Sequence, residues 1–150
     1  MDFSKITDYL YVGKTPLRKG YEQLRELRID LIINMRVEYP PPRNAPIQTL
    51  WLPSADHPFI WIPIRLLKRG VDAALEVIGE GGKVYTHCHG GVHRAVAMAS
   101  CILIAQGHSP KEAMALVKAG RPKADPEIWY IRRQILAFST KYSDQNVPSR

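Results

Sequence analysis

Cys88 and Arg94 are the two residues of this sequence whose types and spacing best suit chemistry on a bound anion. Where a strand turns into a helix, consecutive backbone N–H groups point into one concavity, and the N-terminus of the helix adds partial positive charge. A guanidinium can hold two oxygens of a tetrahedral anion through two parallel hydrogen bonds. The sequence therefore predicts a phosphate-binding loop, whose candidate binding residues are His89, Gly90, Gly91, Val92, His93 and Arg94.

Cys88, at the start of this loop, is a candidate nucleophile. The thiolate is the reactive form of cysteine, and a helix N-terminus and nearby cations stabilise it over the thiol. A thiolate held next to a bound phosphorus atom can accept the phosphoryl group, which water then removes. His87 is expected to orient the backbone of the cysteine. Positive potential around the thiol is expected from four neighbours: His87, His89, His93 and Arg94.

The segment of His87, Cys88, five further residues and Arg94 resembles the HCxxGxxR signature of cysteine-dependent protein phosphatases, with Gly91 at the signature glycine. Among these enzymes the chain is similar to the compact dual-specificity type. Three further segments resemble the family's opening strand, its second strand and the Arg-Pro pair before its last helix: Tyr9–Gly13, Leu31–Arg36 and Gly120–Pro122. The resemblance implies hydrolysis of phosphotyrosine and phosphoserine or phosphothreonine in proteins through a cysteinyl-phosphate intermediate, without a metal or other cofactor.

Asp56 is the candidate for the proton donor that such a reaction needs. An alkoxide or phenolate leaves poorly unless a general acid protonates its oxygen. Asp56 lies in a loop after a predicted strand, 32 residues before Cys88, and the family's general acid lies on such a loop at about that distance. The resemblance thus implies that Asp56 protonates the leaving group and then acts as a base toward water. The alternative is a turn-forming aspartate before His57 and Pro58.

Two positions depart from the family pattern. Ala95 stands where relatives usually carry serine or threonine, whose hydroxyl stabilises the cysteine thiolate as it leaves the phosphoenzyme. Its absence predicts slower breakdown of the intermediate, by about 10²-fold if the loss of one oxyanion hydrogen bond is a fair guide. Glu127 stands where relatives often carry asparagine after the proline.

Other interpretations of the loop remain open on the sequence alone. His87, Cys88, His89 and His93 offer four zinc ligands within seven residues, although adjacent side chains point in different directions. A sulfur-transfer domain of the rhodanese type also places a reactive cysteine in an anion-binding loop. The missing hydroxyl at Ala95 leaves room for a non-catalytic phosphate-binding module. Phosphoinositide phosphatases and RNA 5′-phosphatases often carry a basic residue directly after the cysteine, and His89 occupies that position.

The elements that must position these residues alternate between strands and helices. Short apolar runs predict strands at 7–12, 31–35, 48–52 and 83–86. Helical spacing predicts helices at 21–27, 66–78 and 94–106. A fourth helix is predicted after the N-cap Ser109, and a fifth begins at Asp125. We expect a single α/β domain over residues 1–150, with a central, mostly parallel sheet flanked by helices. From Ser139 onwards the chain is polar, and we expect a frayed tail.

Composition bounds the compartment and the partners. Two cysteines among 150 residues cannot build a disulfide framework, which indicates a reducing compartment. The N-terminus has no apolar signal core, and the longest stretch without a strongly polar residue, eleven residues, is too short to span a membrane. We therefore expect a cytoplasmic protein, and a monomer. The net charge of +7 favours anionic partners, namely phosphate esters, nucleic acid or an acidic membrane surface, and it equally fits a basic solvated surface without function. No run of five or six basic residues occurs, so nucleic acid is the less expected partner, and the resemblance implies a phosphorylated protein or another phosphomonoester.

Overall fold

Five strands pair into one sheet in the computed structural model, which describes residues 1–145. The strands are β1 (Phe3–Thr7), β2 (Leu10–Lys14), β3 (Ile29–Arg36), β4 (Thr49–Ser54) and β5 (Lys83–Cys88). Their order in the sheet is β1-β2-β5-β3-β4, with β1 antiparallel to β2 and the other pairs parallel. β5 therefore runs along the centre of the sheet, between β2 and β3.

Helices cover both faces of this sheet. They are α1 (Arg18–Glu26), α2 (Ile64–Gly79), α3 (Arg94–Ala105), α4 (Pro110–Gly120) and α5 (Trp129–Gln145). Alternate residues of the strands point to opposite faces, so that Val84 joins the main core with α2, α3, α4 and α5, while Tyr85 joins a smaller cluster with Leu24 of α1. Every residue of α3 from Arg94 to Ile104 is buried, as expected of a helix that is apolar nearly all round.

The parallel pairing places the ends of four strands at one edge of the sheet. The last residues of β2, β3, β4 and β5 are Lys14, Arg36, Ser54 and Cys88. In an open parallel sheet the loops that follow these carboxyl ends gather in one crevice. The loops after β3 and β4 are therefore brought beside the loop after β5, which contains the predicted phosphate-binding residues.

The predicted α/β class with a mostly parallel central sheet is confirmed. The predicted cap of α4 is also confirmed, because the Ser109 side chain accepts a hydrogen bond from the backbone N–H of Glu112 at 3.1 Å. The strand predicted at 7–12 is wrong in its bounds. Asp8 and Tyr9 form the turn of a hairpin that joins β1 to β2.

The prediction for the last helix is wrong at both ends. The backbone N–H of Asp125 donates to the carbonyl of Val92 in the loop after Cys88. Asp125 therefore connects the segment before α5 to that loop and does not start the helix. The helix starts at Trp129, and it continues to Gln145 instead of fraying from position 139 because the Tyr142 ring stacks on Phe138. Positions 146–150 of the predicted tail lie outside the described residues. Within residues 1–145, no helix is both long enough and apolar enough to cross a membrane.

Candidate active site

Cys88 is the last residue of the central strand, and pairing with Lys14 of β2 fixes its position. It is free and only 3% exposed. The other cysteine, Cys101, lies within α3 with no exposed surface, and burial raises the pKa of its thiol. Of the two thiols, Cys88 is therefore the one placed next to the phosphate-binding loop, and Cys101 is part of the core.

The loop after Cys88 presents backbone N–H groups that the protein leaves unused. Within residues 1–145, none of the N–H groups from Gly90 to His93 donates to a protein acceptor. Gly91 has a φ of +65°, and a Cβ at this position would lie 2.7 Å from Nη2 of Arg121 and 2.8 Å from the carbonyl oxygen of Gly13. A side chain cannot be accommodated there, so the backbone conformation of the loop depends on glycine.

Arg121 holds this loop from behind. Its guanidinium is buried and donates from Nε to the Gly91 carbonyl at 2.7 Å and from Nη2 to the Gly90 carbonyl at 3.1 Å. The same guanidinium is bound to the carboxylate of Asp2. The loop carbonyls thus point toward a fixed cation, which leaves the N–H groups for a ligand. The sequence indicated Arg121 only through the Arg-Pro resemblance and not as a support for the loop.

Arg94 begins α3 with its side chain buried, and protein groups bind one end of its guanidinium. Nη1 donates to Glu38 at 2.9 Å and to the Ser54 carbonyl at 2.7 Å, and Nη2 donates to Glu38 at 2.7 Å. Nε is buried and has no hydrogen-bond partner within residues 1–145. A guanidinium has five N–H groups, so the Nε–H and the second Nη2–H form a free edge. This edge can hold two oxygens of a phosphate.

Glu38 is a member of the site that sequence reasoning missed. It lies in the loop after β3, 56 positions before Arg94, and belongs to no motif. Hydrogen bonds from Arg94, assisted by Arg36, lower the pKa of Glu38 to about 2. The carboxylate is therefore charged at neutral pH and fixes the orientation of the arginine.

His87 lies directly before the cysteine but does not add the positive charge predicted from the sequence. Its ring is buried, and its Nδ1 lies 3.3 Å from the hydroxyl of Thr15. Burial, with a smaller contribution from the charge of Arg36, lowers its pKa to about 3. The imidazole is therefore neutral at physiological pH. Its position beside Cys88 still suits a role in orienting the backbone.

Asp56 is brought to the phosphate-binding loop by a contact with His93. Asp56 Oδ2 lies 3.1 Å from Nδ1 of His93, and the Tyr130 hydroxyl lies 3.3 Å from Asp56 Oδ1. The fold thus places the predicted acid against a residue of the predicted loop, although the two are 37 positions apart. Tyr130, in the first turn of α5, was not among the predicted site residues.

The family model described as "Swiss Army Knife protein, DSP-PTPase phosphatase domain" (PTP-SAK) matches residues 6–147. The chain belongs to this family of dual-specificity phosphatases. It is 28% identical to mouse dual specificity phosphatase 28 over 130 residues. This alignment covers 85% of this chain and 78% of the relative.

Solved structures agree with this assignment. A mouse putative dual specificity phosphatase, crystallised with zinc tungstate, has a TM-score of 0.85 and 25% identity, with 95% of this chain and 89% of that chain covered. PTPMT1 in complex with PI(5)P also has a TM-score of 0.85, at 20% identity, with 97% of this chain and 99% of that chain covered. The second likeness shows a common fold. The family match over residues 6–147 and the mouse relative make this protein a cysteine-dependent phosphatase.

The phosphatase domain lacks one hydroxyl that the family pattern predicts. Ala95 is fully buried in the first turn of α3, and its carbonyl accepts a hydrogen bond from Thr86. Within residues 1–145, no hydroxyl donates to the Cys88 sulfur, and the Thr15 hydroxyl reaches the Cys88 carbonyl instead, at 3.3 Å. No described group has therefore taken over the role of the missing hydroxyl.

The possible zinc ligands of the loop lie in different surroundings. His87 is buried with its Nδ1 near the Thr15 hydroxyl, whereas His93 contacts Asp56. Within residues 1–145, no group of three or more His, Cys, Asp or Glu side chains converges as metal ligands would.

The mouth of the phosphatase site has a basic and an aromatic side. A cavity of about 260 Å³ adjoins the loop at His89 and is also lined by Lys14, Arg36 and Tyr39. The Arg36 guanidinium stacks on the Tyr39 ring at 4.8 Å. On the side of Asp56, exposed aromatic side chains connect to Tyr130. Trp129 packs against Tyr130, Phe59 packs against Trp129, and the Arg133 guanidinium lies over the rings of Trp61 and Trp129.

Proposed function

We propose that this domain hydrolyses phosphomonoesters by covalent catalysis on Cys88, with Arg94 and the loop from His89 to His93 binding the phosphate. One observation carries the proposal. The N–H groups from Gly90 to His93 and the Nε of Arg94 have no protein partner within residues 1–145, and all of them lie on the segment that directly follows Cys88 at the end of β5. A phosphate bound by these donors would lie within reach of the sulfur, in a site that favours its negative charge.

The reaction proceeds in two steps under this proposal. The Cys88 thiolate attacks phosphorus, the bond from phosphorus to the leaving oxygen breaks, and Asp56 gives its proton to that oxygen. Asp56 then removes a proton from water while the water oxygen attacks phosphorus. The S–P bond breaks, inorganic phosphate is formed, and the electron pair returns to the Cys88 thiolate. His87 orients the backbone of the cysteine as a neutral ring.

The proposed substrates are phosphotyrosine and phosphoserine or phosphothreonine in proteins. The relatives named as dual-specificity phosphatases support this choice. The cavity beside His89, with the Tyr39 ring and the Lys14 ammonium, suits an apolar or aromatic side chain next to a phosphate. The second candidate is a phosphoinositide, because PTPMT1 was crystallised with PI(5)P and this chain carries a net charge of +7.

We also propose that the protein acts as a monomer in the cytoplasm. The two cysteines are both free and buried, which fits a reducing compartment. The sequence contains no run of five basic residues, so nucleic acid remains the less favoured partner.

Turnover of p-nitrophenyl phosphate by the wild type and Cys88→Ser tests the reaction. We expect activity in the wild type, its loss in Cys88→Ser, and retention in the matched control Cys101→Ala. EDTA should not change the rate, and mass spectrometry of acid-quenched enzyme should find phosphate on Cys88. Full activity of Cys88→Ser would remove the assigned nucleophile, and binding of phosphate without turnover would favour a phosphate-binding module.

The substrate class is tested by comparing kcat/KM values. One peptide sequence carrying phosphotyrosine or phosphoserine is compared with a short-chain phosphoinositide and a 5′-phosphorylated RNA oligonucleotide. We expect the phosphopeptides to be hydrolysed with the highest kcat/KM. A higher value for the phosphoinositide would replace the protein substrate with a lipid.

A further inference from the structure

We propose that His93 and Tyr130 are positioning residues that hold the carboxyl group of Asp56 for proton transfer. This inference rests on the function proposed above, in which Asp56 is the acid and then the base. The three side chains come from separate elements. Asp56 lies in the loop after β4, His93 directly before α3, and Tyr130 in the first turn of α5.

Each oxygen of the Asp56 carboxylate has its own partner. Nδ1 of His93 lies 3.1 Å from Oδ2, and the Tyr130 hydroxyl lies 3.3 Å from Oδ1. The Tyr130 oxygen is also 3.2 Å from His93 Nδ1, so the three groups form a closed triangle. Two partners on two oxygens restrict both rotation and displacement of the carboxyl group, which one partner would not achieve.

The triangle is partly shielded from water. The His93 side chain is 21% exposed and the Asp56 side chain 38% exposed. The Tyr130 ring packs edge-on against His93 at 5.5 Å, and the Trp129 ring covers Tyr130 at 5.6 Å. Burial, with the nearby charge of Asp56, raises the pKa of Tyr130. Its hydroxyl therefore stays protonated and can donate a hydrogen bond to Asp56.

His93 connects the acid to the phosphate-binding loop. It directly precedes Arg94, and its carbonyl accepts the helical hydrogen bond from Ala97 at 2.9 Å. Its backbone is therefore fixed relative to the bound phosphate, and its ring fixes Asp56. A proton donor held in this way loses less conformational freedom on reaching the transition state.

Both partners act on the carboxyl group of Asp56 in each of the two steps. In the first step the proton leaves one carboxyl oxygen for the leaving group, and a carboxylate forms. The His93 N–H on Oδ2 and the Tyr130 O–H on Oδ1 both stabilise the negative charge that develops on the carboxyl group as the proton leaves, so both contribute to the first step. The same two hydrogen bonds then orient the carboxylate as the base toward water.

Aryl phosphates that differ in the basicity of the leaving phenolate test the proposal. Phenol resembles tyrosine, whose pKa is about 10, and its departure needs a proton, whereas p-nitrophenolate is stable near neutral pH. We expect His93→Ala to lower kcat/KM about 10-fold with phenyl phosphate and about 2-fold or less with p-nitrophenyl phosphate. His93→Asn, whose amide nitrogen can replace Nδ1, should recover most of the loss, and Tyr130→Phe should show the same selective decrease.

Two controls separate positioning from general damage to the loop. His89→Ala removes a histidine of the same loop that has no hydrogen bond to Asp56, and it should change kcat/KM for all aryl phosphates by the same factor. In an Asp56→Asn background, His93→Ala should have no further effect with phenyl phosphate, because its partner has already been removed.

The outcomes distinguish this inference from the proposed function. If the wild type hydrolyses no aryl phosphate, the proposed function fails. If Asp56→Asn shows the dependence on the leaving group and His93→Ala and Tyr130→Phe do not, the positioning role alone is overturned. An equal loss for every leaving group in His93→Ala, not recovered by His93→Asn, would also overturn it.

Discussion

At the scale of single residues, one end of the Arg94 guanidinium donates to protein groups, and its other edge remains available to a ligand. Glu38 binds both Nη atoms, at 2.9 and 2.7 Å, and sets the direction of the free edge. We expect Glu38→Gln to lower kcat/KM about 10-fold. The two Nη atoms of Arg94 now donate to the two carboxylate oxygens of Glu38, whereas the amide of glutamine offers only one acceptor oxygen and no charge. Inhibition by inorganic phosphate should weaken in parallel.

The matched control for this change is Asp72→Asn, which removes a carboxylate paired with Lys68 on the exposed side of α2. This variant should retain the wild-type kcat/KM and inhibition constant. If Glu38→Gln binds phosphate as tightly as the wild type, the orientation of Arg94 does not depend on Glu38.

We expect Ala95 to limit how quickly the proposed phosphoenzyme breaks down. Since no described hydroxyl donates to the Cys88 sulfur, the thiolate leaves phosphorus without that stabilisation. We expect Ala95→Ser to raise kcat by up to about 10²-fold and to reduce the pre-steady-state burst of p-nitrophenol. Ala95→Gly, which adds no hydroxyl, is the control. A kcat unchanged by serine would mean that phosphoenzyme breakdown is not limited by the leaving thiolate.

The local sequence was sufficient to find some site residues and not others. Cys88 and Arg94 are six positions apart, and one loop conformation joins them, so their spacing alone indicates their proximity. Glu38 and Tyr130 reach the site from 56 and 74 positions away from their partners. Their contacts depend on how sheet and helices pack, and no short motif encodes that.

At the scale of elements, the loop from His89 to His93 depends on one of its two glycines much more than on the other. A Cβ at Gly91 would collide with Arg121 and with the Gly13 carbonyl at a φ of +65°, whereas a Cβ at Gly90 would make only an ordinary contact at 3.5 Å with Val92. We expect Gly91→Ala to weaken phosphate binding and lower kcat/KM by about 10-fold or more, because the loop must shift.

Gly90→Ala is the matched control for Gly91→Ala, since it adds the same methyl group one residue away. Its effect on phosphate binding should be several times smaller. Titration of each variant with inorganic phosphate, monitored by protection against thermal unfolding, measures the difference. Equal effects of the two variants would show that the left-handed conformation at Gly91 is not required.

The sequence predicted most elements because their signals are local. Ser109 and Pro110 mark the start of α4, and the apolar run before Cys88 marks β5. The predicted start of α5 was wrong because Asp125 lies in a turn before the helix. Its backbone N–H donates to the carbonyl of Val92, which is distant in the sequence. Its end was wrong because Tyr142 is held by a ring contact with Phe138 that a polar composition does not reveal.

At the scale of the whole molecule, the N-terminus and the active site are joined by charge. Asp2 binds Arg121, which holds the phosphate-binding loop, and Lys123, which lies two residues further on. Hydrogen bonds from Lys123 and then Arg121 lower the pKa of Asp2 to about 2. The ionised carboxylate therefore contributes stability above its ordinary pKa of 3.8, and this contribution is lost as the pH falls toward 2.

His87 makes the molecule sensitive to acid in a higher range of pH. Burial lowers its pKa from 6.5 to about 3, so between these values the unfolded chain binds a proton that the folded protein excludes. The contribution of the neutral His87 ring to stability is therefore complete above pH 6.5 and is lost as the pH decreases toward 3. Glu38 and Asp2 add their own losses as the pH falls from 4.5 and 3.8, respectively, toward 2. We expect urea unfolding at pH 7, 6, 5 and 4 to show a steadily falling free energy of unfolding.

His87→Gln, which cannot be protonated, should flatten this decline, whereas His89→Gln, at an exposed position of the same loop, should leave its slope unchanged. A wild-type protein that is equally stable at pH 7 and pH 5 would show that the His87 ring accepts a proton without unfolding, and that burial does not keep it neutral.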